Sequence, residues 1–154
     1  MTGSALSAQS SGSTFEPGRV IGGRFEVQAV ANSDGFGPLL LAMDRKTGRP
    51  VSLRVVASPT VAAQLRAQVK AASDLTHQNL LPTFGLAQTE QGTAMIVQGP
   101  LLGRHLSDYA QARRAGGKPV SLRGAYNVVA HVCNALTAVH VAGAHGAVRP
   151  SAVW

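Results

Sequence analysis

Apolar and polar positions alternate through the first ordered part of the chain. In RFEVQAV, Phe25, Val27 and Ala29 fall on one side. PLLLAMDR follows after the interruption NSDGFG, and residues 44–49 form a turn in which Gly48 can take a positive φ. VSLRVV alternates again, with Val51, Leu53 and Val55 facing one way and Ser52 and Arg54 the other. The pattern predicts a three-stranded antiparallel meander. The period then changes. Pro59 suits a first helical turn, and Val61, Leu65, Gln68 or Val69, Ala72 and Leu75 follow at helical spacing. Two further strands, LLPTFGLAQT and TAMIVQG, flank a turn at Glu90-Gln91-Gly92, and Gly99-Pro100 ends the sheet. A short helix spans 106–115 and stops at GGKP. The last helix starts at Ser121, an N-cap, and ends at Gly143. Along it Leu122, Tyr126, Val129, Cys133, Leu136 and His140 share one face. The predicted order is β-β-β-α-β-β-α-α with an extended stub, an α+β fold on a five-stranded antiparallel sheet.

Composition adds boundaries. Residues 1–18 are rich in Ser, Gly, Thr and Ala and nearly uncharged, so they read as a disordered tail with order beginning near Gly18. The tail has no basic start and no apolar centre, which excludes a secretory signal. The most apolar stretch, near 128–148, is broken by Asn134, His131, His140 and His145, so no membrane span is expected and the chain is placed in the cytoplasm. A lone cysteine, Cys133, excludes an internal disulfide and reads as core. The net charge of +7 comes from 14 Lys and Arg against 7 acids. The densest cations, Arg104, Arg113, Arg114, Lys118 and Arg123, are not interleaved with base-stacking aromatics, which argues against a nucleic-acid groove. The five histidines lack metal-ligand spacing, and no Gly-x-Ser-x-Gly is present.

Five landmarks in order resemble the bacterial Ser/Thr protein kinases. NSDGFGPLLLA stands where that family carries its glycine-rich loop. KTGRPVSLRVV stands at the strand with the nucleotide-binding lysine, and LTHQNLLPTFG at the turn after the regulatory helix. GPLLGRHL stands at the hinge, and HGAVRPSAVW at the catalytic loop. The resemblance implies a kinase small lobe over 19–100, with one regulatory helix, and two helices of a truncated large lobe over 101–154.

It also implies a loss of chemistry at each functional position. Asn32 and Asp34 replace two loop glycines, leaving Gly37, with Gly35 beside it. Arg54 stands for the lysine, and Gln68 for its glutamate partner. An Arg54–Gln68 hydrogen bond could replace that ion pair. Ser52 replaces the alanine lining the adenine pocket, Gln98 takes the gatekeeper place, and the hinge is Gly99 and Pro100, the latter without an N–H. His145 and Pro150 keep their places, but Ala147 stands for the base, Arg149 for the lysine and Ala152 for the metal-binding asparagine. Phosphoryl transfer needs all these parts. The resemblance therefore implies a pseudokinase without a magnesium site or a bound cofactor. The residual nucleotide contacts, if ATP were held at all, would come from Gly35, Gly37, Arg54 and Gly99.

Helix 121–142 is apolar nearly all round, with Val128, Val129, Val132, Leu136, Val139 and Val141 on more than one face. A protein partner or a homo-oligomer is expected to cover it. Three readings follow. The first is a regulatory interaction module without catalysis, and the second a nucleotide-binding regulator. The third, weaker, is a basic binder of nucleic acid or anionic surfaces.

Overall fold

The computed structural model describes residues 15–31, 37–143 and 148–154. Among the described residues six antiparallel strands form one sheet in the order β1-β2-β3-β4-β6-β5. They are β1 (Val20–Ile21), β2 (Phe25–Ala31), β3 (Leu39–Asp44), β4 (Arg49–Val56), β5 (Thr83–Gln88) and β6 (Ala94–Gln98). The helices are α1 (Pro59–Ser73), α2 (Leu106–Ala115) and α3 (Leu122–Ala142), and a short 3₁₀ turn spans Pro150–Ala152.

The sixth strand corrects the expectation of five. Val20 and Ile21 pair with Glu26 and Phe25. The hairpin is closed by Gly22 and Gly23 at φ 56° and 63° and by the Arg24 amide donating to the Ile21 carbonyl. A Cβ at Gly22 would stand 2.8 Å from the Gln88 carbonyl oxygen, so the turn needs glycine. Two residues are too few to show a period, but Ile21 is fully buried and anchors the strand. The packed chain also reaches back into the segment read as a tail. Phe15 lies against the core, and the Gly18 amide donates to the Val27 carbonyl at 2.7 Å.

The core follows the period of two. Val51, Leu53 and Val55 of β4 meet Phe25, Val27, Leu40 and Met95 in one cluster. Leu53, Leu40, Val27 and Met95 are wholly buried. Each such side chain contributes about 1.5–3 kcal/mol through removal from water. The opposite side of β4 carries Ser52, Arg54 and Val56. Val56 packs with Ala62 of α1 and Ala94 of β6.

α3 starts at the predicted Ser121 cap, and α1 has a cap in Ser58 that the sequence reading did not name. The Ser58 hydroxyl accepts from the Val61 amide, with Pro59 in the first turn, and Ser121 accepts from the Gly124 amide at 3.1 Å. α3 stops at Gly143. Its environment differs from the reading of Cys133 as core. Cys133 is exposed, and Ala135 is the buried residue of α3. The stripe through Leu122, Tyr126 and Val129 faces outward, at 88%, 71% and 60% exposure. Val128, Val132 and Ala135 face a groove toward the rest of the fold, and the stripe about a third of a turn away is left in solvent. No helix among the described residues is long and apolar enough to cross a membrane.

One ion pair fixes the β2–β3–β4 corner. Arg24 Nε and Nη2 donate to the two carboxylate oxygens of Asp44 at 2.8 and 2.7 Å. Asp44 is buried and also accepts from the Lys46 amide at 3.0 Å and the Thr47 hydroxyl at 2.9 Å. The Arg24 hydrogen bonds hold its carboxyl far below the usual carboxylate range, against the opposing effect of burial. In the unfolded chain an aspartate titrates near ~4. The stabilisation is therefore complete above that pH and is lost as pH falls toward the lower folded value. Asp44→Asn is expected to lower unfolding stability by about 2 kcal/mol at neutral pH. It should also flatten the loss of stability between about pH 5 and pH 2, measured by urea denaturation.

Candidate nucleotide cleft and lobe junction

The residues expected to form a nucleotide cleft reach the structure from four elements. Arg54 comes from the polar side of β4, paired in register with Leu39 and Ile96, and is half-buried. Gly37 lies two residues before β3. Gln68 lies on α1, and Gly99 follows β6. Asn32, Asp34, Gly35, His145 and Ala147 lie outside the described residues.

Gly37 is explained by the backbone. Its φ is 117°, and a Cβ there would stand 2.6 Å from the Val55 carbonyl oxygen. The neighbouring Pro38 carbonyl accepts the Val55 amide at 2.9 Å. The glycine lets the chain close onto β4, a need independent of any phosphate.

Gln68 departs from the expectation. It is exposed, whereas the next residue, Val69, is buried. The face of α1 that packs down carries Ala62, Leu65 and Val69, and this rotation turns position 68 outward. Arg54 itself is engaged by a partner.

At the position expected for the hinge, both backbone groups of Gly99 have partners within the protein. The Ser52 hydroxyl, wholly buried, donates to the Gly99 carbonyl at 2.9 Å across 47 residues of sequence. The Gly99 amide donates to the Pro82 carbonyl at 2.7 Å. Pro100 has no amide hydrogen. Both polar groups of Gly99 thus have internal partners, and its Cα packs against the Pro82 ring, 3.1 Å from where a Cβ would stand. The Gln98 Oε1 atom is buried beside this strand end with no hydrogen-bond partner among the described residues. Sequence reasoning placed Ser52 at the adenine wall but did not foresee its bond to Gly99. The residue type, a hydroxyl on the inward side of a central strand, was the available signal, because a buried hydroxyl must find an acceptor.

A separate concavity lies elsewhere. A groove of about 600 Å³ runs between the 78–82 turn, residues 100–102, α3 and the C-terminal segment 148–154. Arg54, Gly37 and Gln68 do not line it. Asn79 Nδ2 contacts His131 Nδ1 across it, joining the 78–82 turn to α3. At its far side the Leu106 amide donates to the Val153 carbonyl at 2.8 Å, and the His105 and Trp154 rings lie 3.8 Å apart. This is where the segment holding Arg149 and Ala152 docks. Ala152 closes a 3₁₀ turn through its amide and the Arg149 carbonyl and lines the groove. No group of three or more potential metal ligands occurs among the described residues.

Gly37→Ala is expected to destabilise the fold by about 1–3 kcal/mol, because the left-handed backbone and the Val55 carbonyl both oppose a Cβ. Thermal unfolding checks this. The substitution should leave the Ser52–Gly99 contact, and hence the hinge, unchanged.

Comparison with known proteins agrees with this geometry. No family model matches the chain. A probable serine/threonine-protein kinase PknB of Corynebacterium glutamicum is 28% identical over 141 residues, covering 86% of this chain and 21% of that protein. Among solved structures, a mutant of the Mycobacterium tuberculosis PknI kinase domain superposes with a TM-score of 0.76 at 17% identity. It covers 88% of this chain and 56% of that one. A further structure of the M. tuberculosis PknI kinase domain gives 0.75 at 18% identity, with 88% and 55% coverage. The chain thus spans about a fifth of the curated relative and just over half of the solved kinase domains. The α+β fold is that of a kinase small lobe with part of a large lobe, and in sequence the chain is similar to a probable bacterial serine/threonine protein kinase.

Proposed function

We propose that this chain is a kinase-like module that works by protein interaction and regulation, without phosphoryl transfer. The observation that carries the reading is the hinge. Gly99, the position that would present its backbone to adenine, has its carbonyl bound by Ser52 and its amide bound by Pro82. The sequence supports the same reading at every chemical position, since Ala147, Ala152 and Gln68 lack the base, the metal ligand and the acid. Loss of a general base and of the metal that neutralises phosphate charge leaves no route for in-line transfer.

A second reading, a nucleotide-binding regulator, is favoured by one observation. The Gln98 Oε1 acceptor is buried and unpartnered among the described residues, so a ligand donor at the hinge would satisfy it. Arg54, on the cleft side of β4, would then meet the phosphates as a planar fork.

Thermal unfolding with millimolar ATP, with and without magnesium, separates the two. The interaction module predicts no shift in midpoint and no labelled phosphate on the chain or on a general protein acceptor. A magnesium-independent rise in midpoint that Arg54→Ala abolishes would establish the second reading. Magnesium-dependent transfer of label would overturn both.

A further inference from the structure

We infer that the Asn79–His131 contact is a pH-sensitive latch between the 78–82 turn and α3, closed while the His131 ring is neutral and released when it takes a proton. An amide nitrogen carries hydrogens and offers no lone pair, so Asn79 Nδ2 can only donate. His131 Nδ1 therefore accepts, which requires a neutral ring with its hydrogen on Nε2. A proton arriving on Nδ1 sets two donors face to face and removes the bond. Imidazole is the side chain whose charge ordinarily changes between about pH 5 and 8.

The place of the contact gives its loss a consequence. The turn is braced from within. The Asn79 amide donates to His77 Nδ1 at 3.2 Å, and the Leu80 amide to the His77 carbonyl at 3.0 Å. Opposite it, α3 makes no extended contact with a strand or another helix among the described residues. The groove between them is walled by side chains such as Leu80, Leu101 and Val132, and His131 is the one ionisable group among its described lining residues. No carboxylate there can receive an imidazolium.

The charged groups of the surrounding elements do not take over that role. One turn from His131 along α3 stand Asn127, Val128, Asn134 and Ala135, and residues 78–82 and 100–102 carry no charge. In 148–154 the charged side chain is Arg149, which has its own partner and does not line the groove. At the end of α1, Lys70 and Asp74 face each other at 3.9 Å. His77 is the second titratable group, tied through Nδ1 to the turn's backbone. The latch is independent of the nucleotide question, and both its halves are described residues, whatever follows Trp154.

A spin label reads the latch in the full chain. A nitroxide is attached to Cys133, the single cysteine, which is exposed and two residues from His131. It broadens the backbone amide signals of residues 78–81 while the turn stays against α3. From about pH 7.5 to about pH 5.5 the ratio of released to latched chain should rise about fivefold, the factor for one lost hydrogen bond. His131→Phe should be released at both pH values. Asn79→Asp, which supplies a carboxylate, should stay latched at the lower pH. His77→Gln should respond as the parent chain does. Circular dichroism and melting at both pH values confirm that each variant folds. A parent chain that stays latched on acidification, as when the Asn79 amide turns over to offer its oxygen, overturns the inference. So does release of Asn79→Asp, or a His131→Phe variant that stays latched or still responds to pH. Loss of the response in His77→Gln overturns it in favour of His77 as the switch.

Discussion

Strand β4 is the element on which both halves of the account depend. It sits between β3 and β6, and its alternate residues serve opposite masters. Val51, Leu53 and Val55 fill the core, so the register of the strand cannot slip without exposing them. That fixed register points Ser52, Arg54 and Val56 to the other side. Val56 supports α1, and Ser52 reaches the hinge. A hydroxyl held without solvent must find an acceptor, and the acceptor in reach is the Gly99 carbonyl. Core packing thus dictates what the hinge can offer.

The same logic explains the surviving kinase landmarks. Gly37 stands where a Cβ would come within 2.6 Å of the Val55 carbonyl oxygen, and Ser121 and Gly143 mark the ends of a helix. These are needs of folding. The positions that differ, at Arg54, Gln68, Ala147 and Ala152, are needs of chemistry in the family the chain resembles. A fold retained by packing while chemical positions drift supports the non-catalytic reading more strongly than any one substitution.

Much of the fold was legible because it rests on periods and caps. The alternation in β4, the Ser121 cap and the bounds of α2 all follow from local rules. The missed parts depend on distant residues. β1 is two residues long, below any periodic signal, and exists because Ile21 reaches the core. Cys133 was read as core from its helical stripe. A helix apolar on several sides does not reveal which side the rest of the chain covers, and here Val128, Val132 and Ala135 face the groove instead. Gln68 stands outward for a similar reason, since Val69 won the sheet-facing position by one residue. Within the candidate site, residue types were readable, but the Ser52–Gly99 bond spans 47 residues and could be found only in three dimensions.

Backbone amide chemical shifts during an ATP–magnesium titration test the central claim most directly, because they read the hinge itself. The account predicts no saturable change at Ser52, Arg54, Gln98 or Gly99, since Ser52 and Pro82 already engage the two backbone groups of Gly99. Saturable shifts centred on Gly99 and Arg54 would contradict it.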